Sequence, residues 1–460
     1  MLSNDGSILC ISCYELGHQP MGAAMPIGFL EAAGYCPDAM DIAVDRFDPA
    51  KVSRARFIGI SVPMHTAMRL GVRVAKRIRE INPSCHICFY GLYAVLNSDY
   101  LLEHGADSCV GGECESPLVA LVKSIDAGSD QEIDGVIRRG TAVRPHLQRL
   151  SFSVPSRGAL PPLETYAQLE DNGTRRVAGY AEASRGCLHQ CTHCPIPPVY
   201  GGRFFVVPQE VVLEDVRRQV DAGATHITFG DPDFLNGPKH SLRVIRALHA
   251  EFPELTFDIT AKIEHLLNRG DHLQEFGESG CLFIITAVES LSERVLTILN
   301  KAHTREDVVS ALEKCREAGI PLRPTWLPFT PWTTLDDFRE ILDFVEEHGL
   351  IDHVDPVQYA IRLLIPPGSW LAEREETLPH RGALDQAAFT YRWTHPDPRM
   401  DALHKEVSRI VEKDAETEED PALTFYRIWE LAHGRQSASG LFSLAADRKR
   451  APRLTESWFC

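Results

Sequence analysis

Basic residues are absent from the start of this chain. None precedes Arg46, so no positively charged segment leads into an apolar stretch and no secretory signal is expected. No run of about 20 apolar residues occurs, which excludes a helical membrane span. Positive charge is short overall, with 47 Lys and Arg against 64 Asp and Glu and a formal charge of −17. So acidic a chain makes nucleic acid an unlikely main partner, because phosphate binding needs a basic face. Aromatics at 8% and hydrophobic residues at 44% are ordinary for a globular protein that buries real cores. The 460 residues suggest two or three domains. Without an export signal, the 13 cysteines are expected to be thiols in a reducing, cytoplasmic setting, used for metal or redox chemistry.

Three of those cysteines fall in Ser184-Arg-Gly-Cys-Leu-His-Gln-Cys-Thr-His-Cys-Pro195. Thiolates spaced this way in a short loop can converge on one inorganic centre. Three ligands leave one iron of a four-iron cluster without a protein donor, the open position a catalytic metal needs. A zinc site would want a fourth ligand, and no second CxxC or nearby CxxH occurs. A disulfide would strand one thiol. Unreactive buried cysteines would not gather in a loop flanked by Gly and Pro.

The spacing resembles the CxxxCxxC loop of the radical S-adenosylmethionine (SAM) enzymes. The resemblance implies that Cys187, Cys191 and Cys194 hold a [4Fe–4S] cluster whose remaining iron is chelated by SAM. His193 stands where that superfamily usually carries an aromatic residue.

Residues 1–125 alternate apolar strands with helical stretches. Strands are expected at Ser7–Tyr14, Phe57–Val62, His86–Gly91 and Asp107–Gly111, with helices at Ala23–Ala33, Thr66–Ile81, Ala94–His104 and Ser116–Ile125. That alternation predicts an α/β fold with a doubly wound, Rossmann-like parallel sheet, which binds ligands beyond the carboxyl ends of its strands. By position and strand order the region is similar to the cobalamin-binding domains that precede many radical SAM cores. The signature Asp-x-His-x-x-Gly is missing, so the resemblance implies either cobalamin bound without a histidine below the cobalt or a domain that has lost it. His18 and His65 lie on suitable loops. Residues 126–177, rich in Gly, Pro and charge, are expected to form a linker.

From 178 to 365 the alternation returns in longer units. Strands are expected at Gly179–Ser184, His226–Gly230, Leu255–Thr260, Leu282–Val288, Leu322–Leu327 and Val357–Leu364. Helices are expected at Gln209–Ala222, Ser241–Glu251, Ile263–Asn268, Arg305–Ala318 and Leu335–His348. Six units in succession predict a partial (βα)6 barrel, the core fold of the resembled family, with the thiol loop after its first strand, at the edge where such barrels place their chemistry. Residues 366–460 are expected to form a mostly helical C-terminal region, with Met400–Asp414 and Pro421–His433 the clearest amphipathic segments.

The second barrel strand ends at Gly230-Asp231, followed by Asp233. The family commonly has Gly-Gly-Glu there, touching the SAM amino group, so the resemblance assigns that place to Gly230 and Asp231. The fourth strand ends at Glu289-Ser290, where the family places a carboxylate near the SAM ribose; a helix cap also explains Ser290. Arg323, Thr325, Trp326 and Phe329 are expected to face the substrate. Arg362 needs an anionic partner, either a carboxylate of SAM or substrate or a structural ion pair.

The sequence ends Trp458-Phe-Cys460, and it looks similar to radical SAM proteins with a Cys-Cys-Ala-Glu-Pro or Cys-selenocysteine-Ala-Glu-Pro tail. The resemblance implies truncation at a selenocysteine codon. The expected function is reductive cleavage of SAM to modify a small-molecule substrate. It would draw on an electron donor such as flavodoxin or ferredoxin, with no membrane involved. Cobalamin-dependent methyl transfer is one outcome. Transfer of a 3-amino-3-carboxypropyl group to a soft nucleophile such as arsenic is another, and a non-catalytic sensor or electron carrier is a third.

Overall fold

The computed structural model describes residues 2–417, 419–437 and 448–456. Cys460 and the expected tail lie outside these residues. The first sheet comprises β1 (Ile8–Ser12), β2 (Asp38–Asp41), β3 (Phe57–Ser61), β4 (His86–Tyr90), β5 (Ser108–Val110) and β6 (Val136–Ile137) in the order β2-β1-β3-β4-β5-β6. All pairs are parallel except β5 with β6. Every residue of β1 and β3 is buried, as expected for strands covered by helices on both faces. On one face the helix His65–Ile81 packs its apolar stripe; on the other lies Met21–Ala32, apolar around most of its circumference. The order reverses between β1 and β3, the switch point where open sheets of this type bind ligands.

Residues 126–177, expected as a linker, carry more structure than their composition suggests. They hold β6, which closes the first sheet, and β7 (Gln168–Asp171), which opens the second. β7 joins β8 (Thr174–Ala181) through Asn172-Gly173, both with positive φ, a two-residue turn whose twist matches the strands it connects. A short antiparallel pair, β9 (Ser184–Gly186) and β10 (Phe204–Val206), brackets the thiol loop.

The second sheet continues with β11 (His226–Phe229), β12 (Thr256–Thr260), β13 (Cys281–Glu289) and β14 (Leu322–Trp326). β8, β11, β12, β13 and β14 run parallel and curl into a half-barrel, backed by amphipathic helices and one large apolar core. The expected sixth strand, Val357–Leu364, is instead a 3-10 turn over Pro356–Ala360 with a single bridge between Phe329 and Arg362. Pro356 supplies no backbone donor, and the Gln358 side-chain Oε1 accepts from the Trp326 N–H at 3.0 Å, where a neighbouring strand's carbonyl would.

The C-terminal region is mostly helical, with Pro398–Thr417 and Pro421–His433 packed on the barrel's outer face. A small hairpin, β15 (Leu384–Asp385) with β16 (Thr390–Tyr391), adds to it. β17 (Arg453–Leu454) then pairs antiparallel with β7. No helix among the described residues is long and apolar enough to cross a membrane.

The carboxyl ends of the first sheet face the half-barrel. Arg157, between the two sheets in sequence, donates to both oxygens of buried Asp215 at 2.8 and 2.9 Å, to Gln19 Oε1 at 3.0 Å and to the Tyr180 carbonyl at 2.7 Å. Arg185 donates to Glu115 at 2.6 Å and Glu182 at 2.9 Å, while the Tyr200 hydroxyl donates to Glu113 at 2.9 Å. Two buried cations or donors thus meet carboxylates of the opposite domain, so the domains are held in one orientation.

Candidate active site

The thiol loop begins where β8 ends, at the carboxyl edge of the half-barrel. The Cys194 N–H donates to the Cys191 carbonyl at 3.3 Å, a turn that folds the two cysteines together. The Cys187 N–H donates to the Arg203 carbonyl at 3.1 Å, and the Leu188 N–H to Asn236 Oδ1 at 3.2 Å. On the other side, Thr192 donates to the Leu299 and Ile298 carbonyls at 3.1 and 2.8 Å, and Asn300 donates to the Gln190 carbonyl at 2.9 Å. The loop is therefore fixed from both sides before any metal binds. Burial pushes the Cys194 thiol up to about 12, and the nearby Cys191 and Cys187 add to the rise. Burial also raises Cys187. Thiols held this way give up their protons to a metal rather than to water. Three soft donors in one short, fixed loop suit an iron–sulfur cube.

Beside the loop, Glu289 ends β13 at φ +69°, after a break in register between Ala287 and Glu289. Such a bulge re-aims a side chain at the end of a strand. The Glu289 Oε1 lies 3.3 Å from both Lys301 Nζ and His193 Nε2. Burial alone would raise this carboxyl, but Lys301 and His193 outweigh it and hold it down at about 2. His193 Nδ1 is buried without a partner, a polar atom left for a bound group. Ser290 Oγ accepts from the Ser292 N–H at 3.2 Å, the turn-capping role that the sequence also allowed.

Asp231 is engaged within the protein. Its oxygens accept from Ser184 Oγ at 2.6 Å and the Ala183 N–H at 2.9 Å, tying the end of β11 to the start of the thiol loop. Burial raises it to about 7 against those bonds. Gly230 is required sterically, since a Cβ there would lie 1.8 Å from the Tyr180 hydroxyl. Asp233 meets His189 and His265.

The residues expected to face the substrate do not share one face. Arg323 and Thr325 share the lumen face of β14. Trp326 and Phe329 are buried in the outer core, which corrects the expectation that they face substrate. Arg323 pairs with Asp355 at 2.7 Å. Arg362 pairs with Asp401 at 2.8 Å and stacks on Trp393, so its anion is structural.

A cavity of about 230 Å³ lies between the two carboxyl edges. Glu15, His18, Pro63, Gly91 and Gly112 line it from the first domain and Tyr180, Glu182, Arg185 and Gly230 from the barrel. His18 stacks on Tyr180 at 4.5 Å, and burial lowers its imidazole to about 4. His65 lies elsewhere, its Nε2 2.6 Å from the Ala388 carbonyl. Glu15 accepts from the Gly22 N–H at 3.1 Å, yet burial raises it to about 8. A folded-state value above the ordinary 4.5 means that the native protein keeps this proton while the unfolded chain loses it. Stability therefore falls as pH rises from about 4.5 to about 8 and the contribution is constant outside that window. Glu15→Gln is expected to flatten part of this slope, raising the melting temperature at pH 9 relative to pH 5; an identical pH profile would refute the assignment.

Lys301, Lys262, Asn236, His189 and His265 join this site without having been singled out from sequence. Asn236 and Lys301 have partners about 50 and 12 residues away in sequence, so their roles depend on how the barrel folds.

Residues 182–345 match the family described as Radical SAM superfamily. An uncharacterized methyltransferase of Pyrococcus horikoshii is 22% identical over 394 residues, covering 81% of this chain and 80% of that protein. The ribosomal protein uS12 methylthiotransferase RimO of Methylococcus capsulatus is 29% identical over 203 residues, 41% of this chain and 46% of that protein. The chain thus spans about half the length of that relative. Among solved structures, the cobalamin-dependent SAM radical enzyme OxsB with aqua-cobalamin bound has a TM-score of 0.70 at 16% identity, over 88% of this chain and 67% of that one. The radical SAM methyltransferase TsrM of Kitasatospora setae, with cobalamin and a [4Fe–4S] cluster bound, has a TM-score of 0.59 at 17% identity, over 75% and 73%.

Proposed function

We propose that this chain, a radical SAM enzyme by the match of residues 182–345, transfers an alkyl group from SAM to a small molecule in the cavity between its two domains. The observation that carries the reading is the loop that brings Cys187, Cys191 and Cys194 together at the barrel's carboxyl edge, next to Glu289. When bound, a [4Fe–4S] cluster supplies the electron that cleaves a carbon–sulfur bond of SAM. Glu289, kept ionised by Lys301, is the acceptor for ribose hydroxyls, and the unpartnered His193 Nδ1 faces the same region. Gly230, bare of a side chain, exposes backbone for the SAM methionine, while Asp231 positions the thiol loop rather than the ligand. A one-electron donor such as flavodoxin or ferredoxin would serve the cluster.

Cobalamin, as methyl carrier, would lie beyond the carboxyl ends of the first sheet's strands, where Gly91 after β4 and Gly112 after β5 leave backbone bare. The topology and the likeness to OxsB support this place. The cavity is smaller than pockets that hold drug-sized ligands, and a corrin is larger still, so the cavity would have to widen to take one. That small volume favours a second reading, transfer of a 3-amino-3-carboxypropyl group to a soft nucleophile such as arsenic without cobalamin.

Anaerobic protein loaded with iron and sulfide, given SAM and a strong reductant, tests both. S-adenosylhomocysteine or 5′-deoxyadenosine formed only with added cobalamin supports methyl transfer. Methylthioadenosine without it supports the second reading, and absence of all three refutes SAM cleavage.

A further inference from the structure

Next to the thiol loop, three side chains from three different barrel loops meet: His189 between Cys187 and Cys191, Asp233 after β11, and His265 in the helix Ile263–Asn268 after β12. Their ligating atoms all lie within 4.8 Å of one another. His189 Nε2 is 3.0 Å and His265 Nδ1 2.8 Å from the same oxygen, Asp233 Oδ2. Only the first contact has hydrogen-bond geometry. His265 Nδ1 is buried and has no hydrogen-bond partner despite its short approach. Two donor atoms that close, with lone pairs not aimed at each other, is the arrangement seen when both point at a third atom. Adjacent ligands of a six-coordinate ion with bonds of about 2.1 Å sit about 3 Å apart.

The geometry points to a mononuclear site for a divalent first-row transition cation, held by His189 Nε2, Asp233 Oδ2 and His265 Nδ1. Two imidazoles and one carboxylate are borderline donors that suit iron(II), manganese, cobalt or zinc, and they leave coordination positions open. The ligands are pre-oriented. Asp233 Oδ1 accepts from the Leu235 N–H at 3.0 Å, which directs Oδ2 at the histidines. On the far side of His189, Nδ1 lies 3.4 Å from Lys262 Nζ and 3.7 Å from Glu264 Oε2, and Lys262 and Glu264 are 3.9 Å apart. The Lys262 charge, which opposes a cation, is thus offset by Glu264. An ion here would staple the thiol loop to the loops after β11 and β12. Its action is positioning, and it does not rest on the iron–sulfur reading.

The test uses the full chain with Cys187, Cys191 and Cys194 all changed to alanine, so that cluster iron is absent, and cobalt(II) as the probe. One cobalt per chain is expected, with the weak visible bands of nitrogen and oxygen ligation. His265→Ala in that background is expected to weaken binding by about 100-fold or more, beyond the roughly 10–100-fold that loss of an outer-shell partner costs. Cobalt bound equally well without His265, or strong sulfur-to-cobalt charge transfer in its place, overturns the site. A second measurement leaves the three ligands unaltered. Electron–nuclear couplings of the bound ion should report two imidazole nitrogens, and one or none overturns the site. If the cluster assignment were wrong but this site real, wild-type protein would hold the single ion and no sulfide.

Discussion

Cys194→Ala, prepared without oxygen, is expected to hold neither the roughly four irons nor the sulfide of an intact cluster, and to turn over SAM no faster than the reductant alone. The size of this effect follows from the way the thiol is held. Cys194 is half-buried, and burial with the neighbouring Cys191 and Cys187 keeps its proton on up to about 12, so the sulfur is held for a metal rather than for solvent. The loop's backbone is already committed, through the Cys191 carbonyl and the Thr192 bonds to Leu299 and Ile298, so it cannot shift to bring another thiol into the place of Cys194. A cube held by the two remaining thiols has a second open iron and is lost to solvent. Iron and sulfide at wild-type stoichiometry, together with wild-type turnover, would refute the role of this loop.

Lys301→Met is expected to cost about 3–5 kcal/mol of stability, because it leaves the Glu289 carboxylate buried without its main counter-charge. Lys301 is only 2% exposed, and methionine fills a similar volume, so packing contributes little. The variant should melt roughly 10 °C lower, at about 2–4 °C per kcal/mol for a domain of this size. Its Glu289 is expected to take up protons at a higher pH than the present value of about 2, and SAM affinity should fall with the loss of a fixed negative charge. Adding Glu289→Gln should recover much of the stability but none of the affinity, since the two charges are coupled. A melting shift below about 2 °C would show that the ion pair is spectator to the fold.

The sequence carried the sheets where strands are long and apolar. Ile8–Ser12 and His226–Phe229 fall inside their expected spans because buried strands must be apolar throughout. Short edge strands left no such mark. β2 is Asp-Ala-Met-Asp, half polar because one edge of it is open, and β6 and β17 are two residues each. The segment Val357–Leu364 has strand-like composition, but flanking prolines and the Gln358 side chain give its neighbour another partner. Trp326 was misplaced by parity. Side chains on β14 alternate between faces, so Thr325 and Trp326 cannot both face the lumen. In the site, the cysteine spacing was legible because its ligands are local. Lys301 and His265 were not, because their roles depend on which strand lies beside which, and only the folded barrel decides that.

The pairing of β17 with β7 has a consequence for how the chain is made. Arg453 and Glu170 are 283 residues apart, so at about 5–20 residues per second the ribosome takes roughly 15–60 s to supply the partner. For that time one edge of the barrel sheet stands open while the rest can already collapse. Its guard is the charge along the Asn172-Gly173 hairpin, with Glu170 and Asp171 on one strand and Arg175 and Arg176 on the other. Synthesis thus leaves this edge unpaired until β17 arrives to cover it.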